Sequence, residues 1–128
     1  MPEPGTVERS FDGAMGSLRD ARQFVRGVLA GWLVVEPADE VLLVTHELAA
    51  NALVHAHSAF VIRMRRRDGW LRVEVDDASV EPPRANPPSD SSVGGRGLPL
   101  VEALSEDWGW DLREGGKSVW AEMGVPVV

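Results

Sequence analysis

The spacing of apolar residues predicts two helices in the first half of the chain. Between Ser17 and Gly31, apolar residues recur at intervals of three and four, which is the period of one helical face. Ser17 is a residue type that caps helices, and Gly31 marks the end of the pattern. After Pro37, which suits the first turn of a helix, apolar residues recur again to about Ala56. A weaker pattern at Thr6–Phe11 is a candidate strand that precedes both helices.

After the second helix, apolar and polar residues alternate, which is typical of half-buried strands. Asp68 and Gly69 separate two such runs and form a hairpin signal. Two further alternating runs, Trp108–Leu112 and Ser118–Met123, follow a helical pattern at Leu98–Leu104. We therefore predict an α/β (α+β) two-layer sandwich, in which a mixed, mainly antiparallel sheet carries helices on one face.

Residues 77–96 interrupt this regular pattern. The segment is rich in proline and serine, contains two adjacent glycines and shows no apolar periodicity. A loop of this length is uncommon in a small domain, and such loops are either functional or disordered. The segment is therefore a candidate binding loop.

Composition excludes several classes of protein. The chain has 128 residues, no cysteine and a formal net charge of −7. The lack of cysteine excludes disulfides and thiolate metal sites. The acidic balance argues against nucleic acid as the primary partner, since the only dense basic run is Arg65–Arg67. The N-terminal segment Met1–Gly16 has no apolar core of signal-peptide length, and no run in the chain approaches the length of a membrane span. We expect a single cytoplasmic domain over residues 1–128, with no membrane partner.

The second predicted helix carries polar residues within an otherwise apolar segment. Glu47, Asn51 and His55 lie four residues apart, on nearly the same helical face. Asn offers an oxygen ligand suited to Mg²⁺, and Glu can orient or deprotonate a nucleophile. The alternative is a polar pair satisfied by the neighbouring backbone, or an exposed face. The segment alone does not separate these interpretations.

Three later segments offer groups that a nucleotide can contact. Asp77 ends the second strand of the hairpin, where a carboxylate can accept from an exocyclic amine, although a simple turn Asp is commoner. Gly94–Leu98 precedes a helix, so its backbone N–H groups can approach phosphate oxygens. Gly116–Ser118 opens the last strand, and a β-turn with a solvated lysine explains it equally well. Each segment is a weak signal by itself.

Taken in order, these four motifs resemble those of the Bergerat-fold ATPases, the superfamily of DNA gyrase and histidine-kinase catalytic domains. Within it, Glu47–Ala56, Gly95–Val101 and Gly116–Trp120 look most like the small anti-sigma-factor serine kinases and their actinobacterial relatives. The resemblance covers almost the whole chain. It implies the Bergerat ATP-binding fold, with ATP and Mg²⁺ as cofactors and an ATP lid at about residues 78–96.

The resemblance also implies roles for individual residues. Glu47 would be the catalytic base, Asn51 the Mg²⁺ ligand and Asp77 the acceptor for the adenine amine. The remaining nucleotide-contacting positions are two phosphate-binding glycines, a serine near the adenine and four neighbouring residues: Gly95, Gly97, Ser118, His55, Ser79, Arg96 and Leu98.

The implied function is that of a Mg·ATP-dependent protein serine kinase. Such a protein binds a sigma factor in one state and phosphorylates an anti-anti-sigma partner in another, and a homodimer is compatible with this role. Ser79 and Pro99 depart from the family pattern, which often has Gly at both places, and these departures favour nucleotide binding over rapid turnover. The alternatives are a non-catalytic ATP-dependent switch and a histidine-kinase catalytic fragment. No helix with a phosphoacceptor His precedes the domain, which disfavours the fragment.

The histidines do not form a pattern typical of a Zn²⁺ site. His46 and His55 fall on opposite sides of the predicted helix, and Glu47 is the only carboxylate close to them on it. We therefore expect no transition-metal site. Trp108, Trp110 and Trp120 are interpreted as packing residues rather than as a platform that stacks on bases.

Overall fold

The predicted helices and strands all form, with bounds shifted by a few residues. The structure is a computed structural model that describes residues 5–83 and 97–126, the side chains of residues 55 and 56 excepted. Gly95 and Arg96 lie outside the described residues, together with most of the predicted lid. In chain order the regular elements are β1 (Thr6–Phe11), α1 (Ser17–Gly31), α2 (Ala38–Asn51), a π-helix (Ala52–Ala56), β2 (Phe60–Arg67), β3 (Trp70–Asp77), α3 (Gly97–Leu104), β4 (Asp107–Arg113) and β5 (Gly116–Gly124).

The five strands form one sheet in the order β1-β2-β3-β5-β4. Every neighbouring pair in the described sheet is antiparallel. The prediction of a mainly antiparallel sheet is confirmed, but the expectation of a mixed sheet is wrong. The pairs β2–β3 and β4–β5 are hairpins, which are antiparallel by construction. The longer connections return the chain in the opposite direction as well. This order places the C-terminal end of β3 beside the N-terminal end of β5.

The first helix is held at its start by a turn rather than by a capping serine. α1 begins at Ser17, and its N-cap residue Gly16 makes no side-chain cap hydrogen bond. Ser17 Oγ instead donates to Asp12 Oδ1 at 3.0 Å, and the Ala14 N–H donates to the same oxygen at 2.9 Å. The Ala14 N–H, followed by the Ser17 hydroxyl, holds the pKa of Asp12 below its ordinary value. None of the helices within residues 5–83 and 97–126 has the length and apolarity needed to cross a membrane.

Alternation along the strands directs one face of the sheet toward the helices. In β2, Phe60, Ile62 and Met64 are buried, whereas the residues between them are partly exposed. Apolar stripes of the first two helices complete the core: Ala21, Val25, Leu29, Val41, Val44 and Leu48. Burial of one large aliphatic side chain contributes about 1.5–3 kcal/mol. This core fixes α2 against β3 and β5.

The other face of the sheet carries a charge network centred on Glu74. Its side chain is 3% exposed and accepts from Arg63 Nη1 at 2.7 Å and from Arg72 Nε at 2.8 Å. Burial alone raises the pKa of Glu74, but Arg63, Arg65 and Arg72 together hold that pKa below its ordinary value. Buried charges are tolerated when they are paired in this way. The network therefore covers this face of the sheet with paired charges, whereas Asp77 lies on the opposite face.

Candidate functional site

The polar pair predicted on the second helix is buried. Glu47 and Asn51 are each 6% exposed, although both lie in a helix whose other buried residues are mostly apolar. A polar side chain in such a position is costly unless other groups satisfy it. Both side chains interact with other groups of the protein. The structure thus excludes an exposed helical face and leaves a buried polar pair on α2.

The helix that carries this pair changes its winding directly after Asn51. Residues Ala52–Ala56 form a π-helix, and His57 then adopts a left-handed conformation with φ 51°. A π-helix closes i→i+5 hydrogen bonds and has a wider turn than an α-helix. His55 lies in this π-helix, and its side chain is outside the described residues, so its place on the stripe of Glu47 and Asn51 stays a prediction. π-helical turns are frequent at functional sites.

Asp77 is the last residue of β3, and its carboxylate is buried. The side chain is 2% exposed, and Oδ1 accepts from the Ser79 N–H at 2.8 Å. Ser79 Oγ in turn accepts from the Glu81 N–H at 3.1 Å. A carboxylate that accepts from the backbone two residues on forms an Asx turn. Ser79 is accommodated in this turn, and the carboxylate points toward the helices because Asp77 follows buried Val75 by two residues.

Lys117 is the residue at this site that the sequence interpretation missed. It pairs directly with Asp77 across β3 and β5, and its Nζ lies 3.0 Å from Asp77 Oδ2 and 3.1 Å from Oδ1. Its side chain is 3% exposed, so the alternative of a solvated lysine in a turn is wrong. One signal was available in the sequence. Lys117 precedes Val119 by two residues, so the alternation of β5 places both on the core face.

Ser118 lies on the opposite face of the sheet from Asp77. In the register of the two strands, Ser118 pairs with Asp76, whereas Lys117 pairs with Asp77. Paired residues share a face, and the next residue along each strand points to the other face. Ser118 is buried, and its Oγ has no hydrogen-bond partner among the described residues. The register therefore separates Ser118 from the face that carries Asp77, and Lys117 lies beside Asp77 on that face.

Gly116 explains how β5 comes so close to Asp77. A Cβ atom at this position would lie 1.9 Å from the carbonyl oxygen of Asp77 and 3.1 Å from Cα of Ala78. Both neighbours are backbone atoms and cannot move aside at small cost. Glycine is thus required for the close approach that brings Lys117 onto Asp77.

Of the two predicted phosphate-binding glycines, only Gly97 lies within the described residues, at the start of the third helix. α3 begins at Gly97, with half-buried Leu98 as its next residue. Pro99 lies in the first turn, where a missing N–H costs no helical hydrogen bond. Phosphates are commonly bound at helix N-termini. Gly97 and Leu98 therefore occupy suitable backbone positions for the predicted role.

The donor set suits Mg²⁺ better than a transition metal. Among the described residues, no three side chains of His, Cys, Asp or Glu come together as metal ligands. Mg²⁺ is held in proteins by one or two oxygen ligands together with substrate phosphates and water. The buried amide of Asn51, beside the carboxylate of Glu47, is a donor set of that kind.

Comparisons with known proteins agree with this geometry. A family model described as the histidine kinase-like ATPase domain matches residues 11–123. Among solved structures, the crystal structure of the RsbU and RsbW domains of Rv1364c from Mycobacterium tuberculosis is similar, with a TM-score of 0.74 at 19% sequence identity. That match covers 98% of this chain and 34% of the other, so this chain spans about a third of its length. A search of curated proteins finds no match.

The structural similarity shows a shared fold, because the sequence identity is low. The family match is the stronger finding, since it runs from the end of β1 almost to the end of β5. It includes the buried pair on α2, the carboxylate at the end of β3 and the close approach of β5. On these grounds the chain belongs to the histidine kinase-like ATPase domain family.

Proposed function

We propose that this protein binds Mg·ATP between α2, the adjoining ends of β3 and β5, and the start of α3. The observation that carries the proposal is the burial of Glu47 and Asn51, one turn apart, on the helix that packs against those strands. A carboxylate and an amide do not stabilise an apolar core at this position. In a Mg·nucleotide site, the amide oxygen can bind the metal and the carboxylate can act as a general base. The family match supports ATP as the nucleotide.

Each residue has a definite task in this proposal. The side-chain oxygen of Asn51 would hold Mg²⁺, and Asp77 would accept from the amine of the base. The backbone at Gly97 would face phosphate oxygens, with Gly95 and Arg96 expected beside it from the sequence. Bound ATP supplies the phosphoryl group. Glu47 orients the acceptor hydroxyl and receives its proton.

We further propose that the acceptor is a serine on a partner protein, in a partner-switching system of the anti-sigma type. The solved structure of similar fold contains an RsbW domain beside an RsbU domain, which supports such a system. The proposed partners are a sigma factor and an antagonist of the anti-anti-sigma class, met in the cytoplasm. Incubation with labelled ATP and a serine-bearing antagonist domain tests the transfer.

A non-catalytic, nucleotide-dependent switch is the second candidate. The departures at Ser79 and Pro99 from the pattern of the kinases that the sequence resembles favour it, because they favour nucleotide binding over rapid turnover. Retention of the label on ATP, together with nucleotide-dependent capture of the same antagonist domain, would identify a switch of this kind.

Asn51→Ala is expected to remove most of the Mg²⁺ dependence of ATP binding, because it deletes an oxygen ligand of the metal. Calorimetric titration with and without Mg²⁺ measures this dependence. Gln23→Ala is the matched control, since it deletes an exposed amide from α1, away from the site. An Asn51→Ala variant that keeps the wild-type ratio of the two affinities would contradict the assignment of Asn51.

A further inference from the structure

At the proposed site, the side chain of Asp77 is held by a cation of the protein itself. The ammonium of Lys117 lies 3.0 and 3.1 Å from its two carboxylate oxygens, so it covers the open side of the carboxylate. Oδ1 also accepts from the Ser79 N–H at 2.8 Å. With only 2% of the Asp77 side chain exposed, no face of this carboxylate is open to a ligand while the ammonium is in place.

The cation in this contact is a lysine, whereas every other basic residue of the chain is an arginine. The sequence has 13 basic residues, counting lysine and arginine together, and Lys117 is its only lysine. An ammonium is a compact charge with three donors on a flexible stem, whereas a guanidinium is a planar fork. Such a group can present N–H donors to a carboxylate from the position that the exocyclic amine of a purine would take.

We propose that the Lys117 ammonium competes with the amine of the nucleotide base for Asp77, so that Lys117 sets both the affinity for ATP and the selectivity for adenine. The inference rests on the proposed function, since it concerns the base end of the same site. To accept from a base, Asp77 must exchange the Lys117 contact for a new one. The wild-type protein therefore binds ATP weakly, and the amine of the base adds little to its affinity.

A cooperative role for Lys117 leads to the opposite expectation. If the ammonium donated to a ring nitrogen of the base while Asp77 accepted from the amine, removal of Lys117 would weaken ATP binding. Competition predicts stronger binding after the same change. The sign of the effect decides between the two.

The test compares wild type with Lys117→Met, which keeps the apolar stem and removes the charge. ATP and purine riboside triphosphate, which lacks the 6-amino group, are titrated into each protein. We expect Lys117→Met to bind ATP about ten to a hundred times more tightly, as for the gain of one hydrogen bond to a charged group. Discrimination between the two nucleotides should be below about threefold in wild type and above about tenfold in the variant. Arg113→Met, which removes a half-exposed cation at the end of β4, should behave as wild type.

Because Lys117→Met can also lose stability, a second measurement uses the unaltered protein. Selective ¹⁵N labelling of lysine gives one side-chain signal, since Lys117 is the only lysine. Saturating Mg·ATP should move this signal toward its position in an Asp77→Asn variant, in which the ion pair is absent.

Three results would overturn the inference. ATP affinity that is equal or lower in Lys117→Met, or a lysine signal that stays in place when wild type is saturated with ATP, would exclude competition while leaving ATP binding intact. No binding of either nucleotide by either protein would overturn the inference and the proposed function together.

Discussion

Loss of either partner of the Asp77–Lys117 ion pair is expected to lower the free energy of unfolding by about 3–5 kcal/mol. The two side chains are 2% and 3% exposed, so the remaining charge has no access to solvent. Removing one partner of a buried pair leaves the full desolvation cost of the other uncompensated. Lys117→Met and Asp77→Asn should both show this loss of stability. Their roles toward a nucleotide are opposite, since Asp77 accepts from the base and Lys117 competes with the base.

Urea unfolding of the variants without ligand measures the effect. Arg113→Met is the control for an exposed pair, because Arg113 is 47% exposed and lies 4.0 Å from Asp76. Such pairs contribute about 0–1 kcal/mol. The double variant Asp77→Asn/Lys117→Met should recover much of the loss, since it leaves no unpaired charge. Single variants that lose no more stability than Arg113→Met would contradict the buried ion pair.

Glu47→Gln is expected to slow phosphoryl transfer to a serine-bearing partner by about 10²–10⁴-fold, the usual contribution of a general base. The amide keeps the shape of the side chain but cannot accept the proton of the hydroxyl. ATP affinity should remain close to wild type, since the base acts on the nucleophile rather than on bound ATP.

Single-turnover transfer from labelled ATP, with ATP affinity measured in parallel, separates chemistry from binding. Glu40→Gln is the matched control two turns earlier on the same helix, where the side chain is half-buried. Transfer at the wild-type rate by Glu47→Gln would remove Glu47 from the mechanism. Equal loss in Glu40→Gln would attribute the effect to the helix as a whole.

Most of the fold could be predicted from periodicity because the sheet has one buried face. In β2, the alternation of Phe60, Ile62 and Met64 with polar residues appears in the structure as alternate burial. The hairpin at Asp68 and Gly69 followed from turn chemistry, and Gly69 has the positive φ of 74° that such turns require. Strand direction across β3 and β5 did not follow, because it depends on contacts between distant segments.

The relative positions of site residues could be predicted from the sequence only where the residues lie on the same helix or strand. Glu47 and Asn51 share an α-helix, so their spacing fixed their common face. Alternation within β5 indicates the faces of Lys117 and Ser118, but the pairing of Lys117 with Asp77 depended on the register between two strands. Register is set by long-range pairing, and here by the tight passage of Gly116 over Asp77. The π-helix after Asn51 gave no sequence signal that we can identify.

Nucleotide binding by the protein itself is measured by calorimetric titration of the wild-type chain with ATP, in the presence and absence of Mg²⁺. We expect saturable binding of one nucleotide per chain, stronger with Mg²⁺ than without it, and stronger again in Lys117→Met. An absence of binding heat in both proteins, with folding confirmed by circular dichroism, would contradict ATP binding by this protein.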